Sequence, residues 1–389
     1  MTDPVYLDHA ATTPMVPEAV EAMAEHLGRA ANPSSLHASG RAARRAVEES
    51  REQVAAALGC RPGEVVFTSG GTEADNLALK GLAWARRQHD VRRRRLLTTA
   101  IEHHAVLDPL DWLAACQDLE LDLLPVDHEG RLVGPDLGDP STAALVSVMW
   151  ANNEVGTVQP IDRVVAAASE HGVPVHTDAV QAVGVLPVDF AGAGVDAMTV
   201  SAHKVGGPHG VGALVARRDL ELAPLLHGGG QERDVRSGTL DTPAIVGFAV
   251  ALDLAVRRRA EHAAHLASLR ARLVDGLHRV VPDAVLNGPG PDTWDTDRLA
   301  GNVHVSFPGC EGDSLLMLLD ARGIECSTGS ACSAGVPQAS HVLLAMGRGE
   351  DEARSSLRFT FGRTSTEADV DAVLDAIGPA VERARAARL

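Results

Sequence analysis

Lysine is nearly absent from this chain. Only Lys80 and Lys204 occur among its 35 basic residues, and the remainder are arginines. Arginine stays protonated in proteins, whereas a desolvated lysine can lose its proton and form a Schiff base with an aldehyde. A lysine retained in an arginine-rich chain is therefore a candidate for chemistry that arginine cannot perform.

Other shortages exclude several classes of protein. Aromatic residues make up 3% of the chain, so the core must consist mainly of alanine, valine and leucine. The five cysteines show no closely paired zinc-type spacing, and an odd, sparse set makes a disulfide framework a poor expectation. No apolar run approaches the roughly 18 residues of a membrane span. The net charge of −17 argues against broad binding to nucleic acid or to anionic membranes.

The first residues, Met1 to Val5, carry neither the basic nor the apolar segment of a secretory signal. Together with the cysteine content, this predicts a cytoplasmic protein without a membrane partner and without direct contact to nucleic acid.

Apolar segments followed by polar turns dominate the first two thirds of the chain. They are residues 64–68, 96–100, 142–150, 174–178 and 195–200, and helical patterns lie between several of them. This alternation predicts an α/β fold with a mostly parallel sheet, in which ligand groups gather at the carboxyl ends of the strands. We expect a large domain over 15–258 and a small α+β domain formed by 1–14 and 259–389.

Lys204 lies where one of these strands gives way to a glycine-rich turn, which is a suitable place for a lysine that binds pyridoxal 5'-phosphate (PLP). PLP also needs a carboxylate at its ring nitrogen, and Asp178 ends the preceding strand. His103 can stack on the ring. Arg358, on an apolar strand, can bind a substrate carboxylate through two parallel hydrogen bonds.

A phosphate cradle is predicted where the strand at 64–68 runs through Ser69-Gly70-Gly71-Thr72 into a helix. The free backbone N–H groups and the positive end of the helix dipole favour an anion at this point. Gly71 and Thr72 are the candidate ligands, helped by Ser201 and His203 beside the lysine.

Cys332 lies in a segment of small residues, about 327–338, that we expect to be mobile, and it is a candidate nucleophile. Cys60, Cys116 and Cys310 are expected to be small buried apolar residues, whereas the sequence leaves Cys326 undecided.

Taken together, these segments resemble the cysteine desulfurases of the NifS/IscS type, which are PLP enzymes of aminotransferase class V with fold type I. The matching blocks cover nearly the whole chain: Tyr6–Pro14, Asn32–His37, Thr68–Glu73, Glu102-His103, Asn152–Gly156, His176–Gln181, Ser201–Lys204, Gly228–Glu232, Arg236–Thr239, Gly329–Cys332 and Ser356–Phe359.

The resemblance implies a role for each candidate residue. Lys204 would carry PLP and move the Cα proton, His103 would stack on the ring and act in acid–base chemistry, and Cys332 would take the sulfur of L-cysteine as a persulfide. The remaining implied contacts are Asp178 with the ring nitrogen, Gln181 with the ring hydroxyl, Gly71, Thr72, Ser201 and His203 with the phosphate, Thr239 with the phosphate of the other subunit of a homodimer, and Asn153 and Arg358 with the substrate carboxylate.

The resemblance further implies a sulfur-acceptor protein, either an iron–sulfur scaffold or a tRNA-thiolation enzyme. Three alternatives remain open. The chain could be another class V enzyme, such as a selenocysteine lyase, an aminotransferase or an epimerase. It could be a non-catalytic scaffold with the same fold. It could be a metalloenzyme built from His103, His104, His176 and Asp178.

Overall fold

The structure is a computed structural model that describes residues 4–329 and 339–387. Its helices are α1 Pro17–Leu27, α2 Ala38–Leu58, α3 Gly71–His89, α4 His104–Gln117, α5 Ile161–Ser169, α6 Phe190–Ala193, α7 Thr242–Arg257, α8 Arg259–Val280, α9 Trp294–Asp297, α10 Gly312–Asp320, α11 His341–Ala345, α12 Glu350–Arg354 and α13 Glu367–Ala387. Its strands are β1 Val5–Tyr6, β2 Val65–Thr68, β3 Arg95–Thr99, β4 Glu120–Leu124, β5 Ala143–Ser147, β6 Val175–Asp178, β7 Ala197–Ser201, β8 Gly212–Ala216, β9 Val285–Leu286, β10 Asn302–Ser306, β11 Ile324–Glu325 and β12 Ser356–Thr360.

A seven-stranded sheet forms the centre of the molecule, in the order β2-β8-β7-β6-β5-β3-β4. β8 runs antiparallel to both of its neighbours, and the other pairs are parallel. The prediction of a mostly parallel α/β sheet is therefore confirmed. Because all strands except β8 point the same way, the turns that follow them meet at one edge of the sheet.

Helices cover both faces of this sheet. Side chains alternate between the two faces along each strand, so one strand contributes to two separate apolar clusters. In β2, Val65 and Phe67 pack into one apolar cluster with α2 and α7, whereas Val66 packs into a second cluster with α3 and α4. Buried strands such as β5 are therefore apolar over almost their whole length, and the helices cover the sheet on both sides.

A separate apolar cluster joins Leu7 to α8, α13 and the antiparallel sheet β12-β10-β9. The sequence pattern over 243–278 predicts one long helix, but the structure has two helices there, α7 and α8, that meet at Arg258. We propose this junction as the boundary between the predicted large and small domains, since different residues form the cores on its two sides.

The sequence-based boundaries need two further corrections. The sequence analysis missed β4 and α4. β4 forms the edge of the large sheet, and two of its five residues are acidic, so its apolar pattern is weak. The sequence pattern predicts that the helix after the glycine turn begins at Ala74, whereas α3 begins at Gly71, which brings the glycine turn into the first helical turn. Within the described residues, we find no helix that is both long and apolar enough to cross a membrane.

A buried ion pair connects α2 to the segment that follows β8. Arg51 Nη2 lies 2.6 Å from Glu232 Oε1, and both side chains are almost fully buried. Glu232 Oε2 also accepts hydrogen bonds from Arg51 Nη1 and from the Phe67 backbone N–H in β2. The carboxylate thereby holds the polar segment 228–239 against the sheet.

We expect Glu232→Ala to lower the free energy of unfolding by about 3–5 kcal/mol, because the substitution removes the buried carboxylate that pairs with both Nη atoms of Arg51. The remaining carboxylate contact of Arg51 is the more exposed Glu48, at 3.2 Å. Urea unfolding followed by circular dichroism measures the free energy of unfolding. Glu350→Ala is the matched control: its exposed i,i+4 pair with Arg354 should contribute about 0.5 kcal/mol or less. Equal effects of the two substitutions would contradict the prediction.

Candidate active site

A cavity of about 300 Å³ opens at the carboxyl edge of the large sheet. Nine of the residues predicted from the sequence line it: Gly71, Thr72, His103, Asn153, Asp178, Gln181, Ser201, His203 and Lys204. They follow β2, β3, β5, β6 and β7, so the parallel strand order brings together segments that are distant in the sequence.

The floor of the cavity at one end is the first turn of α3. Gly70 has φ 149° and ψ −175°, a backbone conformation that essentially only glycine adopts. A Cβ on Gly71 would lie 3.3 Å from Val180 and 3.6 Å from Ser201, which shows how closely the turn approaches the neighbouring strand ends. The N-terminus of this 19-residue helix presents N–H groups that have no acceptor within the helix.

Lys204 lies in a short 3₁₀ turn directly after β7. Its Nζ donates hydrogen bonds to the carbonyl oxygens of Ala10 and Ala11 (2.8 Å to Ala11), in the segment that follows β1. Burial and the nearby charge of Arg358 lower the pKa of Lys204 from 10.5 to about 8, although Asp178 and Asp8 oppose this shift. The amine is therefore far easier to deprotonate than an exposed lysine.

Asp178 ends β6 and is 7% exposed. Its Oδ1 accepts a hydrogen bond of 2.8 Å from the Val180 N–H. Burial raises the pKa of this carboxyl to about 6, and the Val180 hydrogen bond and the charge of Lys204 partly offset the rise. A cation in the cavity would stabilise its ionised form.

His103 caps the N-terminus of α4, and its Nδ1 accepts the Ala105 N–H at 3.1 Å. This contact assigns the ring proton to Nε2. Burial, followed by the charge of Lys204, lowers the pKa of His103 to about 4. A neutral, planar ring therefore lines the cavity.

Arg358 in β12 reaches the mouth of this region from the small sheet. Its Nη1 donates to the Asn153 carbonyl oxygen at 3.0 Å, and its Nη2 lies 2.7 Å from Asp8 Oδ1. The guanidinium is almost fully buried, and its Nε has no hydrogen-bond partner among the described residues. Arg358 does not itself line the cavity, and its Nε is shielded from solvent.

Two of the predicted residues that the structure describes, Thr239 and Arg358, do not line the cavity. Thr239 is exposed and does not line it, so its contact across a homodimer stays a prediction. Gln181 lines the cavity, but its Nε2 donates to the Ala10 carbonyl oxygen at 2.9 Å. Arg358 contacts the cavity lining through its hydrogen bond to the Asn153 carbonyl oxygen. Cys332 lies outside the described residues.

Two buried carboxyl groups were missed by sequence reasoning. Asp75 lies in α3, one turn after the glycine turn, and lines the cavity at 1% exposure. Glu102 is fully buried, and its Oε1 accepts hydrogen bonds from Thr99 Oγ1 and the Met149 N–H. The helical spacing of Asp75 from Thr72 was the available signal, since both residues lie on one side of α3.

The cysteines partly contradict expectation. Cys310 is buried and Cys60 is half-buried, but Cys116 is exposed. The prediction for Cys116 was wrong because it lies in the last turn of α4, beyond Leu113, the last buried residue of that helix. Burial raises the pKa of Cys326 to about 12, which makes it a poor nucleophile.

His176 is not available as a ligand for the metalloenzyme alternative. His176 is fully buried; its Nδ1 lies 2.9 Å from Ser147 Oγ and its Nε2 lies 3.0 Å from Thr199 Oγ1, so both nitrogens are engaged. The described residues contain no cluster of histidine, cysteine and carboxylate side chains arranged to hold a metal.

Comparison with known proteins agrees with this geometry. The aminotransferase class-V family model matches residues 5–373. An IscS-like cysteine desulfurase from Mycobacterium tuberculosis is 56% identical and covers 99% of this chain and 98% of its own length. A solved NifS-like protein superimposes with a TM-score of 0.89 at 37% identity, covering 98% of this chain and all of its own. SspA in complex with cysteine gives a TM-score of 0.76 at 34% identity, covering 92% and 98%.

Fold and cavity thus define a PLP-dependent enzyme of the aminotransferase type, and the chain belongs to the aminotransferase class-V family. Within that family it belongs with the cysteine desulfurases of the NifS/IscS type.

The cavity fits PLP on its own chemistry. It combines an amine with a lowered pKa, a buried carboxyl at a strand end and an anion-binding helix terminus around one space of about 300 Å³. These are the groups required by an aldehyde, a ring nitrogen and a phosphate, respectively.

We expect PLP to attach to the protein at a rate that rises with pH and reaches its midpoint near 8. The neutral amine is the nucleophile, and its fraction grows as the pH rises through the lowered pKa of Lys204. The growth of visible absorbance, followed between about pH 6.5 and about pH 9.5, measures this rate.

The chain's only other lysine provides the control. Lys80 lies 4.7 Å from the centre of the Trp112 ring, outside the cavity. Lys80→Arg should keep the same midpoint, and Lys204→Arg should abolish attachment. A midpoint near 10, the ordinary range of a lysine, would contradict the lowered pKa.

Proposed function

We propose that this protein is a PLP-dependent cysteine desulfurase that converts L-cysteine to L-alanine and retains the sulfur as a persulfide on Cys332. The observation that carries the proposal is the assembly of Lys204, Asp178 and the α3 terminus around one cavity. The Mycobacterium tuberculosis relative is named a cysteine desulfurase, and the SspA structure contains cysteine.

The cofactor contacts follow from the positions of the side chains. Lys204 would hold PLP covalently, and Asp178 would pair with its ring nitrogen. His103 would stack on the ring and Gln181 would bond the ring hydroxyl. The proposed phosphate ligands are the first turn of α3 and the side chains beside the lysine, namely Gly71, Thr72, Ser201 and His203. When bound, PLP supplies an electron sink that weakens the bonds around the substrate Cα and Cβ.

Arg358 and Asn153 would hold the substrate carboxylate at the mouth of the cavity. The guanidinium of Arg358 carries a positive charge that would attract the substrate carboxylate through charge-assisted hydrogen bonds. Asp8 and the Asn153 carbonyl fix the guanidinium plane in advance, so little side-chain freedom is lost when the substrate binds.

Lys204 is suited to move the Cα proton once substrate displaces it from the cofactor. Its pKa of about 8 leaves a substantial neutral fraction near physiological pH, and a base near the working pH transfers protons efficiently. His103, neutral and fixed with its proton on Nε2, would donate a hydrogen bond within the cavity rather than carry a positive charge.

Sulfur transfer would occur at Cys332. Its thiolate would attack the sulfur atom of L-cysteine, forming an S–S bond while the C–S bond breaks. The electron pair of that bond remains on the substrate Cβ, which takes up a proton, and L-alanine leaves. The residues that flank Cys332 in the sequence are small.

The persulfide would be passed to a protein acceptor, for iron–sulfur cluster assembly or tRNA thiolation in the cytoplasm. We further propose a homodimer in which Thr239 reaches the phosphate of the other subunit. Its exposure and distance from its own cavity support this assignment.

We expect Cys332→Ala to reduce persulfide formation and sulfur transfer at least roughly 100-fold, since the nucleophile is removed. The visible absorbance of bound PLP should be unchanged. The measurement follows alanine, sulfide, trapped persulfide and absorbance together during turnover of L-cysteine.

Cys116→Ala removes an exposed thiol and is the matched control, which should retain sulfur transfer. Normal transfer in Cys332→Ala would reject the nucleophile assignment and favour a lyase or an aminotransferase. A protein that binds PLP but leaves L-cysteine unchanged would be a non-catalytic member of the fold.

A further inference from the structure

Three carboxyl groups are buried beside the cavity, although the ring nitrogen of the cofactor needs only one. Asp178 ends β6, Asp75 lies in α3, and Glu102 follows β3. Their exposed fractions are 7%, 1% and 0%, respectively. Full ionisation of all three would place three negative charges in a region that water does not reach.

Among the described residues, the one basic side chain within 4.0 Å of the Asp75 carboxyl is His176, whose Nε2 lies 3.6 Å from Asp75 Oδ1. That distance is too long for a hydrogen bond, and burial lowers the pKa of His176 to about 3, so the ring is neutral. Asp75 Oδ1 has no hydrogen-bond partner among the described residues.

The other groups around Asp75 also disfavour its charge. The charges of Asp178 and Glu102 have the same sign as that of Asp75 and raise its pKa, and the hydroxyl of Thr199 in β7 partly offsets this rise. Burial and the charge of Asp178 accordingly raise the pKa of Asp75 well above its usual range. Lys204 instead acts on Asp178, whose ionised form it stabilises.

We propose that Asp75 carries a proton in the native protein and is a positioning residue, which ensures that Asp178 alone presents a negative charge to the ring nitrogen of the bound cofactor. The polar network below the cavity accommodates this proton. Thr199 Oγ1 can accept the Asp75 O–H and donate to His176 Nε2, and His176 Nδ1–H can donate to Ser147 Oγ.

This inference rests on the proposed cofactor site, but its test detects the carboxyl group itself. A protonated carboxylic acid has a C=O stretching band that an ionised carboxylate lacks. We expect this band in infrared spectra of the wild-type protein near neutral pH, and we expect Asp75→Asn to remove the part of it that comes from Asp75. The asparagine has the size and neutrality of the protonated acid, so packing changes little.

Glu102→Gln is the companion variant, because burial raises the pKa of Glu102 to about 8 and its acid band also contributes near neutral pH. At about pH 7.5, Asp178 is mostly ionised because its pKa is about 6. An acid band that survives in Glu102→Gln at this pH therefore belongs to Asp75. This variant leaves Asp75 in place, so the test stands even if Asp75→Asn fails to fold. Complete loss of the band in Glu102→Gln would overturn the proposal.

A second measurement uses the pH-dependent absorbance of bound PLP. Asp75→Asn should move its midpoint by less than about 0.3 units, since a neutral group replaces a neutral group. Asp178→Asn should lower the midpoint by on the order of one unit or more, because it removes a negative charge that stabilises a cation in the site. A comparable fall in Asp75→Asn would show that Asp75 is ionised and would overturn the proposal.

Turnover of L-cysteine separates this inference from the proposed function. A protein that shows the Asp75 band but no turnover retains the protonated carboxyl and rejects the desulfurase. A protein that turns over L-cysteine but shows no Asp75 band keeps the proposed desulfurase function and rejects the protonated Asp75.

Discussion

The burial of Lys204 among charges of both signs is the constraint on which the site depends. An ammonium group removed from water needs compensation, and here the carbonyl oxygens of Ala10 and Ala11, together with Asp178, provide it incompletely. The remaining cost appears as a lowered pKa. A lysine in this position is poised to exchange its proton for a covalent bond to an aldehyde.

The segment after β1 connects this lysine to the rest of the molecule. β1 pairs with β11, and the same segment supplies Asp8 to Arg358 and Ala10 to Gln181 and Lys204. Residues from both ends of the chain therefore contact the ends of the large sheet. This single segment fixes the positions of Lys204 and Arg358 relative to each other, since its carbonyl oxygens contact Lys204 and its Asp8 carboxylate contacts Arg358.

Charge is distributed unevenly within the cavity. Cations face Asp178 and Asp8, whereas Asp75 and Glu102 lie deeper among apolar and neutral groups. Identical carboxyl groups thereby acquire different protonation states from their surroundings alone. The neutral state of His103 and His176 has the same origin, because burial outweighs every nearby carboxylate.

The sequence by itself determined the α/β class, the parallel sheet and the residues that meet at its edge, because apolar runs that end in polar turns follow from local patterning. The rarity of lysine identified Lys204 among 35 basic residues. Tertiary structure alone decided the break at Arg258, the edge strand β4, the exposure of Cys116 and the burial of Asp75 and Glu102. These depend on which surface each element covers, and the free energy of a buried carboxyl depends on neighbours that lie far away in the sequence.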